Sequence, residues 1–267
     1  MNFYTTILGS GAALPTMARH CSGQVVNING FRILLDCGEN TQTQMRICHQ
    51  KLQSAGTIFL THLHGDHFFG LPGLLSTMHL CGRTNPVSIF APQGIAHAMN
   101  TFMEAAGSRL NFEVNYHELS HAEGCQTVFE NYLCRVSAFP LLHSVPTYGY
   151  LIEEVPRGSN PARRYAYCTD TGYTESFLPF IHKVDLLCLE STFDNSFASV
   201  AAEKLHCTST QAATLAFKAE AGQLLLTHIS ARYKDPDKLL AEAQEIFPNT
   251  LVATDGESYL VHYPQGI

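Results

Sequence analysis

The hexapeptide His62-Leu63-His64-Gly65-Asp66-His67 puts three imidazoles and a carboxylate into one loop. It follows the short apolar run Thr57-Ile58-Phe59-Leu60, which reads as a buried strand. Histidine nitrogen and aspartate oxygen are the usual zinc ligands outside cysteine sites. His62 and His64 alternate with Leu63 and can share one side of the loop. Asp66 and His67 come after the turn at Gly65 and can face a second ion. Read as an ordinary polar loop, the stretch would crowd and desolvate its own polar groups with nothing to offset the cost.

Two metal ions need more ligands than this loop holds. Three candidates stand just past strand-like runs. His143 follows Ala138-Phe139-Pro140-Leu141-Leu142, Asp170 follows Tyr165-Ala166-Tyr167-Cys168-Thr169, and His228 follows Leu224-Leu225-Leu226-Thr227. An aspartate placed between two cations can bridge them through its two oxygens. Any one of the three alone reads as a satisfied core or turn residue. Together with the loop they read as a metal site.

Longer motifs extend the pattern over nearly the whole chain. They include Leu8-Gly9-Ser10-Gly11-Ala12-Ala13-Leu14-Pro15-Thr16 with Arg19, Leu35-Asp36-Cys37-Gly38-Glu39 with Thr41-Gln42, and Gly70-Leu71-Pro72-Gly73-Leu74. The C-terminal part adds Glu190-Ser191-Thr192-Phe193, His206-Cys207-Thr208-Ser209-Thr210-Gln211-Ala212-Ala213, and Leu226-Thr227-His228-Ile229-Ser230-Ala231-Arg232-Tyr233. With these motifs the chain resembles the metallo-β-lactamase fold and, within it, the ribonuclease Z family of tRNA 3′-processing endonucleases. The HxHxDH loop is shared by lactonases, thioesterases and other hydrolases. Glu190 and His206 in their contexts are the more specific signals. The His206 motif begins His-Ser-Thr in that family, and Cys207 stands here in place of the serine.

The resemblance implies a role for each matching residue. His62, His64 and His143 would hold one zinc, and Asp66, His67 and His228 the other, with Asp170 bridging them. Two zinc ions per chain are expected, manganese or iron being alternatives. Such a pair would activate a shared water as hydroxide to attack phosphorus. Asp66, His206 and Glu190 would be the catalytic residues. His206 would protonate the departing ribose 3′-oxygen or stabilise the charged phosphorane, and Glu190 would orient it. Asp36, at the end of the run Phe31-Arg32-Ile33-Leu34-Leu35, would fix the metal-binding loop without touching metal. Arg19 and Arg232 would contact substrate. The other histidines match no ligand position, His20 and His49 being the closest to ambiguous.

The 267 residues suffice for one large α/β domain spanning 1–267, and 45% hydrophobic composition is ordinary for a globular protein. No run approaches the roughly 18 apolar residues of a membrane helix. No basic leader precedes the first strand-like segment. Nine widely spaced cysteines without a Cys-x-x-Cys pair predict reduced thiols in a cytoplasmic protein. Cys21 and Cys207 are expected nearest the site.

Apolar periodicity predicts strands near residues 2–8, 24–29, 31–36, 57–60, 87–90, 132–138, 147–152, 164–168, 186–190, 223–227, 251–253 and 258–262. Helices are expected near 41–52, 73–81, 94–106, 210–221 and 234–246. In the fourth of these, Ala213, Ala216 and Phe217 read as core. Asp235-Pro236 reads as an N-cap and first-turn proline. The resemblance implies a four-layer αββα sandwich with two mixed sheets face to face and the metals at one edge.

The net charge of −7 gives no global attraction for a polyanion. A cluster of Arg157, Arg163 and Arg164 reads equally as a local RNA contact or as a solvated turn. Family members carry a long tRNA-gripping arm between the positions of His143 and Asp170, and this chain has only a short turn there. Three activities follow. The first is an arm-less ribonuclease Z acting on precursor tRNA, with a homodimer implied by the resemblance. The second is a phosphodiesterase of small substrates such as cyclic nucleotides. The third is an ester, thioester or lactone hydrolase, against which Glu190 and His206 argue.

Overall fold

The computed structural model describes residues 2–120, 124–156, 158 and 161–263. Arg157 and His121 therefore lie outside the described residues, as do parts of the turn at 155–163. The first half runs β1 (Phe3–Gly9), β2 (Gly11–Ala12), β3 (Gly23–Ile28), β4 (Phe31–Leu35), α1 (Thr41–Ile47), β5 (Thr57–Phe59), α2 (Gly65–Phe68), α3 (Leu71–Leu80), β6 (Val87–Pro92), α4 (Ile95–Ala105) and β7 (Val114–Leu119). The second half runs β8 (Gln126–Glu130), β9 (Cys134–Leu141), β10 (Thr147–Glu154), β11 (Arg164–Cys168), α5 (Leu178–Ile181), β12 (Leu186–Glu190), α6 (Ala198–Lys204), α7 (Ser209–Lys218), β13 (Gln223–Thr227), β14 (Ile229–Ser230), α8 (Asp237–Gln244), β15 (Thr250–Val252) and β16 (Ser258–Leu260).

Two seven-stranded mixed sheets result, in the orders β16-β1-β3-β4-β5-β6-β7 and β15-β13-β12-β11-β10-β9-β8. Central strands such as β5, β12 and β13 read as apolar runs because both faces of each sheet are covered there. Alternate side chains go to different cores. Ile33, Leu35 and Phe59 face Tyr150, Tyr165, Tyr167 and Leu225 in the layer between the sheets. Leu34, Ile58 and Leu60 point the other way, onto Met45, Leu74, Met78 and Ile95 of α1, α3 and α4. On the second sheet, Ala166, Leu187, Leu224 and Leu226 meet Ile181, Ala213, Leu215 and Ala216 of α5 and α7. This is the expected αββα sandwich.

Four expectations change. β7 and β8 were not anticipated, because as edge strands they are mostly half-exposed or exposed and lack an apolar run. Phe217 is exposed, lying on the solvent side of α7, while Ala213 and Ala216 are buried. α8 starts at Asp237 with Pro236 at the boundary, so Asp235 is one residue too early to cap it. Arg163 and Arg164 are committed within the fold, while Arg157 lies outside the described residues. Arg163 is buried and forks onto Glu154, with Nε donating to Oε1 and Nη2 to Oε2, each at 2.8 Å. Arg164 donates to Glu153 Oε1 at 3.1 Å and to the His182 carbonyl at 2.7 Å.

Two glycines let the loops under the HxHxDH segment interlock. A Cβ on Gly70 would lie 1.9 Å from the Gly38 carbonyl oxygen, and one on Gly38 would lie 2.2 Å from that of Asp66. Gly70→Ala is expected to destabilise the fold by about 1–3 kcal/mol or more, as overpacking does. A urea midpoint equal to that of the parent protein would contradict this contact.

Candidate metal centre

The site lies where parallel strands of both sheets end, the usual position for a ligand in such sheets. β4 delivers Asp36 and β5 the loop His62–His67, while β11, β12 and β13 deliver Asp170, Glu190 and His228. Asp36, Asp170 and His228 each take a left-handed backbone conformation, with φ of 56°, 56° and 55°. Asp and His enter that region more readily than most residues. The conformation re-aims each side chain just past its strand. Such strain, on the order of 1–3 kcal/mol per residue, persists only where the surroundings enforce it.

The structure brings all seven expected ligand residues together: His62, His64, His143 and Asp170 form one metal-capable group and Asp66, His67 and His228 another, while His206 also groups with Asp170 and His228. In one, His64 Nδ1 lies 3.0 Å from His62 Nε2 and 3.3 Å from His143 Nε2. Asp170 Oδ2 is 3.6 Å from the first of these Nε2 atoms and 3.7 Å from the second. In the other, Asp170 Oδ1 is 3.2 Å from both His67 Nε2 and His228 Nε2. Asp66 Oδ2 is 3.4 and 3.5 Å from the same two nitrogens. Tetrahedral zinc with bonds of about 2.0–2.2 Å would set neighbouring donors roughly 3.3–3.6 Å apart. His67 Nε2 and His228 Nε2 are buried with no hydrogen-bond partner among the described residues. Orphaned nitrogens aimed at carboxylate oxygens fit a divalent cation on each side of Asp170.

Neighbouring groups hold this cluster. Asp36 is fully buried and accepts from the Thr61 amide at 2.8 Å, from His67 Nδ1 at 2.8 Å and from the Tyr167 hydroxyl at 3.0 Å. The Ala13 amide donates to Asp66 Oδ2 at 2.8 Å. Burial pushes the Asp170 carboxyl up, but His228, His67 and His62 together hold it well below the usual carboxylate range.

His206 stands beside the cluster, its ring 5.3 Å from those of His143 and His228. Its Nδ1 donates to Glu190 Oε1 at 2.8 Å. Glu190 is fully buried and also accepts from the amides of Thr171 at 2.7 Å and Cys207 at 3.0 Å. Burial works against a charge on His206, but Glu190 prevails and the His206 pKa is raised to about 9. Local structure fixes the ring. Leu205 ends α6 in a left-handed cap, and a capping box between Thr208 and Gln211 starts α7. α6 was not foreseen, although its Ala-rich run after the Asp194 cap is a helix signal. Cys207 Sγ donates to the Thr171 carbonyl at 3.2 Å, and neither Cys207 nor Cys21 belongs to a metal-capable group among the described residues.

A cavity of about 390 Å³ opens over the cluster, bounded by Ala13, His64, His206, Phe193, Lys204 and Arg232. The Arg232 guanidinium packs over Phe193 at 4.8 Å and Phe197 at 4.3 Å. Arg19 lines an adjoining hollow and keeps its Nε buried without a partner among the described residues. His20 lies apart, with Nδ1 2.9 Å from Asp255 Oδ2.

Residues 31–229 match the Beta-lactamase superfamily domain. Over 281 aligned residues the chain is 38% identical to the Ribonuclease Z of Azobacteroides pseudotrichonymphae, covering 95% of this chain and 96% of that protein. It is 37% identical to the Ribonuclease Z of Porphyromonas gingivalis W83, covering 95% and 97%. The crystal structure of the short form of human tRNase Z (ELAC1) superposes with a TM-score of 0.84 at 32% identity, covering 97% of this chain and 99% of that one. The fold and the histidine–aspartate cluster thus define a metal-dependent hydrolase of the beta-lactamase superfamily. Within it, the chain belongs to the ribonuclease Z family.

Replacing Asp170 by Ala is expected to abolish stable cation binding at both groups. Metal analysis after dialysis checks this, and retention of two cations per chain would rule out a bridging role.

Proposed function

We propose that the protein is a zinc-dependent endonuclease that matures the 3′ end of precursor tRNA by hydrolysing one phosphodiester. The observation that carries this reading is the Glu190–His206 pair set against a histidine–aspartate cluster in which Asp170 lies near imidazoles on both sides. His62, His64, His143 and Asp170 would hold one zinc, and Asp66, His67, His228 and Asp170 the second. When bound, such a pair lowers the pKa of water to about 7 and neutralises charge on the phosphate.

The protein's own groups supply the rest. Arg232, braced by two aromatic rings, and Arg19 would contact phosphates of the substrate. Water, having given up one proton to solvent, adds to phosphorus and the P–O3′ bond breaks. The 3′-oxygen takes its proton from His206, which leaves a 3′-hydroxyl on the tRNA and a 5′-phosphate on the trailer. Glu190 keeps the proton on the ring until transfer and then faces a neutral imidazole. A homodimer in the cytoplasm completes the proposal.

The short 155–163 connection favours a second reading, a phosphodiesterase of small open-site substrates. Cleavage of 3′-extended precursor tRNA is compared with bis-p-nitrophenyl phosphate, using zinc-loaded and chelated protein. Discrete cutting near the discriminator base is expected, lost on chelation. Chelator-sensitive hydrolysis of the small diester alone would favour the second reading. His206→Ala is expected to keep its metal yet lose about 100-fold or more in turnover. Unchanged turnover would reduce His206 to a structural role.

A further inference from the structure

A neutral imidazole carries one N–H and one lone pair, and it binds a cation only through the nitrogen that lacks the proton. In four of the clustered histidines the nitrogen facing the cluster is Nε2, so Nδ1 must hold the proton. For two of them the partner at Nδ1 is plain. His67 Nδ1 donates to Asp36 Oδ2 at 2.8 Å, and His143 Nδ1 donates to the Leu205 carbonyl at 3.3 Å. His62 and His228 meet a hydroxyl instead. Thr61 Oγ1 is 3.0 Å from His62 Nδ1, and Thr192 Oγ1 is 2.9 Å from His228 Nδ1.

A hydroxyl both donates and accepts, so its other contacts decide the direction. Thr61 Oγ1 is 3.0 Å from both Asp36 oxygens, and Thr192 Oγ1 is 2.7 Å from Glu190 Oε2. A carboxylate only accepts, so each threonine's single proton is committed to it. What remains for the imidazole is a lone pair, which requires an Nδ1–H. Thr61 and Thr192 are both buried, so bulk water does not compete for these contacts.

We propose that Thr61 and Thr192 are positioning residues that set the ring tautomer of His62 and His228, leaving each Nε2 free for a cation. Asp36 then serves His67 directly and His62 through Thr61. Glu190 serves His206 directly and His228 through Thr192, so one carboxylate governs both a metal-facing ring and the proposed acid. This rests on the cluster holding cations as proposed above.

The test is zinc affinity of metal-stripped protein, read by competition with a chromophoric chelator. Thr61→Val and Thr192→Val keep shape and amide but lose the hydroxyl, and Thr→Ser at each position restores it. The valine variants are expected to bind zinc about 10–100-fold more weakly, the usual weight of such partners. The serine variants should recover, and the valine variants should keep a cooperative unfolding transition in chelator at a lowered midpoint. Parent-like affinity in both valine variants would overturn the inference. A parent protein that binds no zinc would instead overturn the metal reading. If the valine variants do not fold, ring ¹⁵N spectra of the zinc-loaded parent protein decide. Protonated Nδ1 on His62 and His228 is expected, and ligation through Nδ1 would overturn the proposal.

Discussion

Asp170 divides its two oxygens between the two histidine groups, Oδ1 lying 3.2 Å from His67 and His228, and Oδ2 3.6–3.7 Å from His62 and His143. A buried carboxylate among imidazoles carries a heavy desolvation cost unless opposite charge is close. Protonated imidazoles supply that charge in the bare cluster, but they then repel one another, and burial with neighbouring imidazoles pushes His62 well below its ordinary value. Divalent cations between the oxygens and nitrogens remove the conflict. The cluster is thus held in a geometry that suits a bound ion better than it suits the empty site.

That geometry depends on the two sheets ending at one edge. The Leu226–His228 and Leu35–Asp36 junctions work alike: a strand buried on both faces stops, φ turns positive for one residue, and a polar side chain swings to the edge. β14 and β2 then pair in parallel, Ile229 with Gly11 and Ser230 with Ala12, which ties the loop after His228 to the loop that carries Ala13. The Ala13 amide in turn holds Asp66.

Much of this was legible in the sequence, for identifiable reasons. Strands buried on both faces leave apolar runs, so β4, β5, β11, β12 and β13 declared themselves, and each announced a polar residue at its end. Edge strands β7 and β8 leave no such run, because solvent accepts polar side chains there. The positive φ at Asp170 and His228 has no sequence mark beyond residue type. Thr192 and Thr61 were invisible as participants, since a threonine after a strand is common and only the directions of its hydrogen bonds reveal the role. Arg163 misled in the opposite way. Its sequence neighbourhood is a charged turn, but Glu154 stands across from it on the hairpin, and a bidentate pair sealed beneath Tyr263 is the outcome.

The overall charge of −7 bears little on phosphate binding, because the field at the cavity is set within a few ångströms. Cations on either side of Asp170 would dominate it. Arg232 adds a guanidinium whose orientation is fixed by Phe193 and Phe197 without an acidic partner to neutralise it among its described contacts. Aromatic packing orients the arginine while leaving its charge for a ligand, which a salt bridge would not do. The contrast with Arg163 and Arg164 lies in the charge: both are paired to glutamates, whereas Arg232 meets rings and a hydroxyl among its described contacts. On the proposed function, Arg232 with Phe193 and Phe197 would supply a local phosphate contact in an acidic protein.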